Sequence, residues 1–61
     1  MNSYDVFYQL AITYGTNNNY EDAISFFERA KNIVDKEEIS YQLGIVYYEL
    51  ASYKLAIKYL S

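Results

Sequence analysis

The stretch Tyr8–Ile24, YQLAITYGTNNNYEDAI, returns 33 residues later as Tyr41–Ile57, YQLGIVYYELASYKLAI. Under that shift Tyr8, Gln9, Leu10, Ile12 and Tyr14 fall on Tyr41, Gln42, Leu43, Ile45 and Tyr47, and Tyr20, Ala23 and Ile24 fall on Tyr53, Ala56 and Ile57. Conservative pairs extend the match: Val6 with Ile39, Ala11 with Gly44, Phe26 with Tyr59, Phe27 with Leu60. One structural unit is therefore written twice, at a period typical of stacked helical repeats.

Apolar residues recur at i, i+3, i+4 and i+7 through the whole chain, and strand alternation is nowhere sustained. Val6, Phe7, Leu10, Ala11 and Tyr14 form one stripe. Tyr20, Ala23, Ile24, Phe27, Ala30 and Val34 form the next, followed by Ile39, Leu43, Val46, Tyr47 and Leu50. Tyr53, Ala56, Ile57 and Leu60 close the series. The spacing predicts four helices, near 4–14, 20–34, 36–50 and 53–61, in two antiparallel helix–turn–helix units. Each break has its own chemistry. Ser3 is the expected cap of the first helix, with Asp5 in its positive first turn. Gly15 suits a left-handed C-terminal position, and Asn17–Asn19 a turn. Asn19 followed by Asp22, and Asp35 followed by Glu38, read as capping pairs for the second and third helices. Ser52 is the expected cap of the fourth.

Composition excludes several kinds of chemistry. The 61 residues contain no cysteine, histidine or proline, so there is no disulfide framework, no thiol nucleophile and no imidazole base or ligand. A net charge of −3 argues against nucleic acid and anionic membrane surfaces as partners. No apolar run approaches a membrane span, and the N-terminus lacks the pattern of a signal peptide, so a cytoplasmic location is expected. Nine tyrosines and three phenylalanines supply an unusual share of the core for so short a chain. Without interleaved Lys and Arg they do not make a base-stacking platform.

The repeated unit resembles the tetratricopeptide repeat, whose pattern sets an aromatic, Leu-Gly, Tyr, Tyr, Ala, Phe, Ala and Pro at fixed offsets. Phe7, Leu10-Ala11, Tyr14, Tyr20, Ala23, Phe27 and Ala30 match in the first unit; Leu43-Gly44, Tyr47, Tyr53, Ala56 and Leu60 match in the second. Ser40 and Asp35 depart from the pattern's opening aromatic and closing proline. The resemblance implies an all-α, solenoid-type fold and one domain over 1–61, with a first repeat at about 4–36 and a truncated second at about 37–61. It also implies a protein or peptide partner rather than a catalysed reaction. Ala11 and Gly44 would face Ala23 and Ala56, so that paired helix axes approach closely.

Asp35, Glu37 and Glu38 read as a helix start rather than a metal site, since no His or Cys ligand and no calcium-loop spacing accompanies them. No catalytic pair, triad or glycine-rich phosphate loop is present, so neither an enzyme nor a cofactor is expected. In the family the first helix of each unit lines an inner groove. Transferred here, that groove holds Tyr8, Ile12, Tyr41, Ile45 and Tyr48, fringed by Asp5, Glu38 and Glu49. Members that clamp a C-terminal carboxylate carry Lys and Asn where Tyr8, Ile12 and Ile45 stand, so that ligand is not implied. An apolar strip of this kind serves either a partner's peptide or helix, or another copy of the chain. The second unit stops part way through its second helix. The chain is then either a fragment of a longer array or a homo-oligomer built by end stacking or helix exchange.

Overall fold

The computed structural model describes residues 2–50 and 58–60, and among these the fold is all-α with no strand. Three helices follow one another: α1 (Ser3–Thr16), α2 (Tyr20–Ile33) and α3 (Glu37–Glu49). Residues 58–60 are again helical, within the fourth predicted helix, whose Ser52 cap lies outside the described residues. The closely packed pairs are α1 with α2 and α2 with α3, as in a chain of hairpins. None of the described helices is long and apolar enough to cross a membrane.

The caps differ from expectation in instructive ways. Asn2, not Ser3, is the N-cap of α1, its Oδ1 accepting the Asp5 backbone N–H at 2.9 Å. Asparagine at this position satisfies a helix-end donor as well as serine does, and α1 gains a residue at its start. At the other end Gly15 stays inside the helix, and Asn18 takes the left-handed conformation (φ 65°) instead. The Asn19 N–H reaches Tyr14 O at 2.8 Å and the Asn18 N–H reaches Gly15 O at 3.1 Å. This is the Schellman arrangement, which satisfies the last carbonyls of a helix, with asparagine standing where glycine is commoner. The Tyr20 hydroxyl fixes the turn by donating to Asn18 Oδ1 at 2.8 Å.

Neither later cap uses its side chain. Asn19 is the N-cap of α2 without a side-chain bond, and Glu21 and Asp22 meet the positive helix end instead. Lys36, not Asp35, caps α3, and Glu38 does not close a capping box. Its carboxylate is drawn away across the molecule: the Tyr4 hydroxyl donates to Glu38 Oε1 at 2.8 Å.

The core is Tyr4, Ala11, Ala23, Phe27, Ala30, Ile39, Leu43 and Val46, all buried. Three of the eight are alanines, which let α1 and α2 approach while Phe27 fills the space beside them. The expected α1 stripe is split, however. Ala11 is buried and Tyr14 half-buried, whereas Val6 and Leu10 face outward, because α2 covers only one side of α1.

Aromatic pairing repeats with the sequence. Tyr14 stacks on Phe26 with centroids 5.4 Å apart, and their counterparts Tyr47 and Tyr59 stack at 5.6 Å. The segment at 58–60 therefore meets α3 as α2 meets α1. Cations cover both stacks: the Arg29 guanidinium lies 5.2 Å from the Phe26 centroid and Lys31 Nζ 5.1 Å from that of Tyr59.

Candidate partner-binding groove

Between α1 and α3 lies an open hollow of about 330 Å³. Its floor comes from α2, through Phe27 and Tyr20. Ile12 and Thr16 stand on the α1 side, and Gln42, Ile45 and Glu49 on the α3 side. The helical period produces these walls. Ile12 and Thr16 are four residues apart, as are Ile45 and Glu49, so each pair shares one helix face. The Thr16 hydroxyl is turned back to Ile12 O at 2.9 Å, which leaves its methyl for the hollow.

Among the eight groove residues expected from sequence, Ile12, Ile45 and Glu49 meet in this hollow. Tyr8 stands at one end of it, half-buried, its ring edge-on to Phe27 at 5.6 Å and stacked on Tyr4 at 5.9 Å. Glu38 is engaged by Tyr4. The other three lie apart: Asp5 beside Val6 and Leu10 on the outer side of α1, Tyr41 in a separate hollow with Lys58 and Leu60, and Tyr48 exposed on α3. Gln42, Thr16 and Tyr20 were not foreseen. The signal for the first two was present, since Gln42 precedes Ile45 by three positions and Thr16 follows Ile12 by four.

Charge is one-sided on the two walls, although only Glu49 lines the hollow itself. α1 and α3 carry Asp5, Glu37, Glu38 and Glu49 and neither has a lysine or arginine; the chain's cations are Arg29, Lys31, Lys36, Lys54 and Lys58. Tyr4 sits at the acidic end, and its phenol is pushed well above the ordinary range, by burial first and then by the hydrogen bond to Glu38. Burial likewise raises Tyr47, with the Glu28 charge adding to it. Among the described residues no cluster of carboxylates is arranged to hold a metal ion.

A short helix, a Schellman turn of three residues, an antiparallel partner with alanines at the seam and a third helix laid on the second define a repeat-built helical-hairpin protein. The family model of the tetratricopeptide repeat matches residues 4–33, which is the first hairpin. The matched hairpin is consistent with one to two tetratricopeptide repeats in the chain. Repeats of this family are in general non-catalytic modules of protein–protein interaction. No curated protein and no solved structure matches the chain.

Proposed function

We propose that the chain binds a peptide or helix of a protein partner in the hollow between α1 and α3. The observation that carries this reading is the pairing of Ile12 and Ile45 across a floor of buried Phe27, in a concavity open to solvent. An apolar side chain of the partner would seat there, while Glu49 on the α3 wall favours Lys or Arg beside it. Binding rests on apolar contact, so its salt dependence is weak.

Fluorescence anisotropy with two labelled peptides of equal length, an apolar core flanked by lysines or by glutamates, tests this. The lysine peptide binds more tightly. Replacing Ile12→Ala and Ile45→Ala together weakens it about tenfold or more without loss of helicity. Equal affinity for parent and double variant overturns the groove.

Another reading, self-association of copies, is favoured by Val6 and Leu10, two large apolar side chains held outward on α1.

A further inference from the structure

We propose that copies of this chain join head to tail, by repeating between molecules the joint that α3 makes with the first hairpin within one molecule. The proposal rests on the self-association reading and specifies its two surfaces.

The first surface is a shallow, almost wholly apolar hollow on the outer side of α1, lined by Asp5, Val6, Gln9, Leu10 and Thr13. Shifted by one repeat, these become Glu38, Ile39, Gln42, Leu43 and Val46. That is the face of α3 which docks onto the first hairpin, and its three apolar members are buried there. The exposed face of α1 thus has the register of a docking face.

The second surface is the hollow that contains Glu37, Ser40, Tyr41, Lys58, Tyr59 and Leu60. One repeat earlier these are Tyr4, Phe7, Tyr8, Ser25, Phe26 and Phe27. Within the molecule two of that earlier set meet α3: Tyr4 holds Glu38 by its hydroxyl, and Phe27 shares a hollow with Ile45 and Val46. In the later set Tyr41 is 60% and Leu60 47% exposed. One end of the chain offers the docking face, and the other offers the receiving face. Because the two surfaces differ, the contact is heterologous and is not completed in a dimer; repeating the internal stacking step, association continues by addition at the ends.

The same register locates the weak point of the joint. Glu38 meets Tyr4 inside the molecule; between molecules their counterparts are Asp5 and Glu37, two carboxylates. A hydrogen bond is thereby replaced by a like-charge contact. Glu37→Tyr restores the tyrosine of the first repeat at this place and removes that repulsion.

Sedimentation of the full chain across a concentration series is the test, with circular dichroism to verify helicity. The parent forms a ladder of oligomers. Leu10→Glu and Tyr41→Glu, each at an exposed position, are monomeric alone; mixed in equal amounts they form a one-to-one dimer that grows no further, since each supplies the end the other lacks. Glu37→Tyr tightens parent association about fivefold, the equivalent of one hydrogen bond. A parent that stays monomeric at every concentration, and remains so with Glu37→Tyr, overturns both this joint and the self-association reading. A parent that assembles while either glutamate variant alone assembles equally well overturns the joint only. Should a glutamate variant lose helicity, Glu37→Tyr decides by itself: unchanged or weaker association overturns the joint.

Discussion

Val6 and Ile39 occupy the same position in the two repeats, as do Leu10 and Leu43. The first member of each pair is 38% exposed and the second 0%. The helices that carry them share a period, an apolar stripe and the residues on either side of this leucine (Tyr, Gln, Leu, then Ile and Tyr), so the difference is not in the local apolar pattern. It arises from what covers each helix: α3 packs this face against the first hairpin, and none of the described elements covers the same face of α1. In a repeat protein a residue's contribution comes partly from its own unit and partly from the neighbour that covers it. The Leu10–Leu43 pair separates those two parts at fixed residue type.

The largest contrast lies at Phe27 and its counterpart Leu60, 1% and 47% exposed. Phe27→Ala should cost ~3–5 kcal/mol, as for other buried aromatics. A domain of this size has only roughly 3–9 kcal/mol in total at the usual ~0.05–0.15 per residue. The variant therefore loses from about a third to all of its stability, and thermal melts by circular dichroism measure the fall. Leu60→Ala should cost under ~2 kcal/mol. If the two variants melt alike, the receiving face is as well covered at the second repeat as at the first, and the contrast fails.

Next comes the docking face itself. Leu43→Ala removes a fully buried side chain for ~2–5 kcal/mol; Leu10→Ala at the same register should cost under ~1 kcal/mol when the chain is dilute. Urea denaturation at several protein concentrations sharpens the comparison. At high concentration the cost of Leu10→Ala rises towards that of Leu43→Ala if another copy covers α1, because stability gained by association depends on concentration.

A smaller effect tests the bond that only the internal joint has. Tyr4→Phe deletes its hydrogen bond to Glu38, at ~1 kcal/mol near neutral pH, since the exposed carboxylate regains water. It also alters the alkaline limb. Burial, and then Glu38, hold the Tyr4 phenol above its ordinary value of 10.0. Below pH 10 the phenol is neutral in both folded and unfolded chains, and its contribution is whole. Above that the unfolded chain loses the proton first, so stability falls as pH rises towards the raised folded value. Tyr47, raised in the same direction, contributes a similar loss. Urea midpoints between pH 7 and 11 should drop less steeply for Tyr4→Phe than for the parent; parallel slopes would disprove the coupling.

The helices and the alanine seam were legible in the residues, because a 3.6 period and a 33-residue echo are properties of the chain itself. So was Asn19 as a helix start. Which asparagine would turn the chain was not. Gly15 is the residue freest to go left-handed, but the helix gains by running on to Thr16, and Asn18 bears the positive φ with help from Tyr20. The pairing of Asp35 with Glu38 failed for a related reason. A local capping bond competes with a distant hydroxyl, and only the fold brings Tyr4 within reach of Glu38. For the groove, helical register placed Ile12, Ile45 and Glu49 together. Tyr41 belongs instead with Lys58 and Leu60, a grouping set by where the 58–60 segment lies and not by spacing along α3.

The smallest net effect is expected where the two repeats differ by a single methyl group. Ala11 of α1 corresponds to Gly44 of α3, and a Cβ on Gly44 would stand 2.5 Å from Leu60 Cγ and 2.6 Å from Cδ2. No such atoms can share that space, so Gly44→Ala must push Leu60 aside, at ~1 kcal/mol or somewhat more. Alanine is also the better helix former by ~1 kcal/mol in a helix interior. The two contributions oppose each other, and Gly44→Ala alone should change stability by less than ~1 kcal/mol. In the Leu60→Ala background only the helix gain survives, and the same substitution should stabilise by ~1 kcal/mol. A double-mutant cycle read by urea denaturation isolates that difference. A vanishing coupling would mean that Leu60 does not rest on Gly44, and the second hairpin would lose its likeness to the first at the point where the two helices come closest.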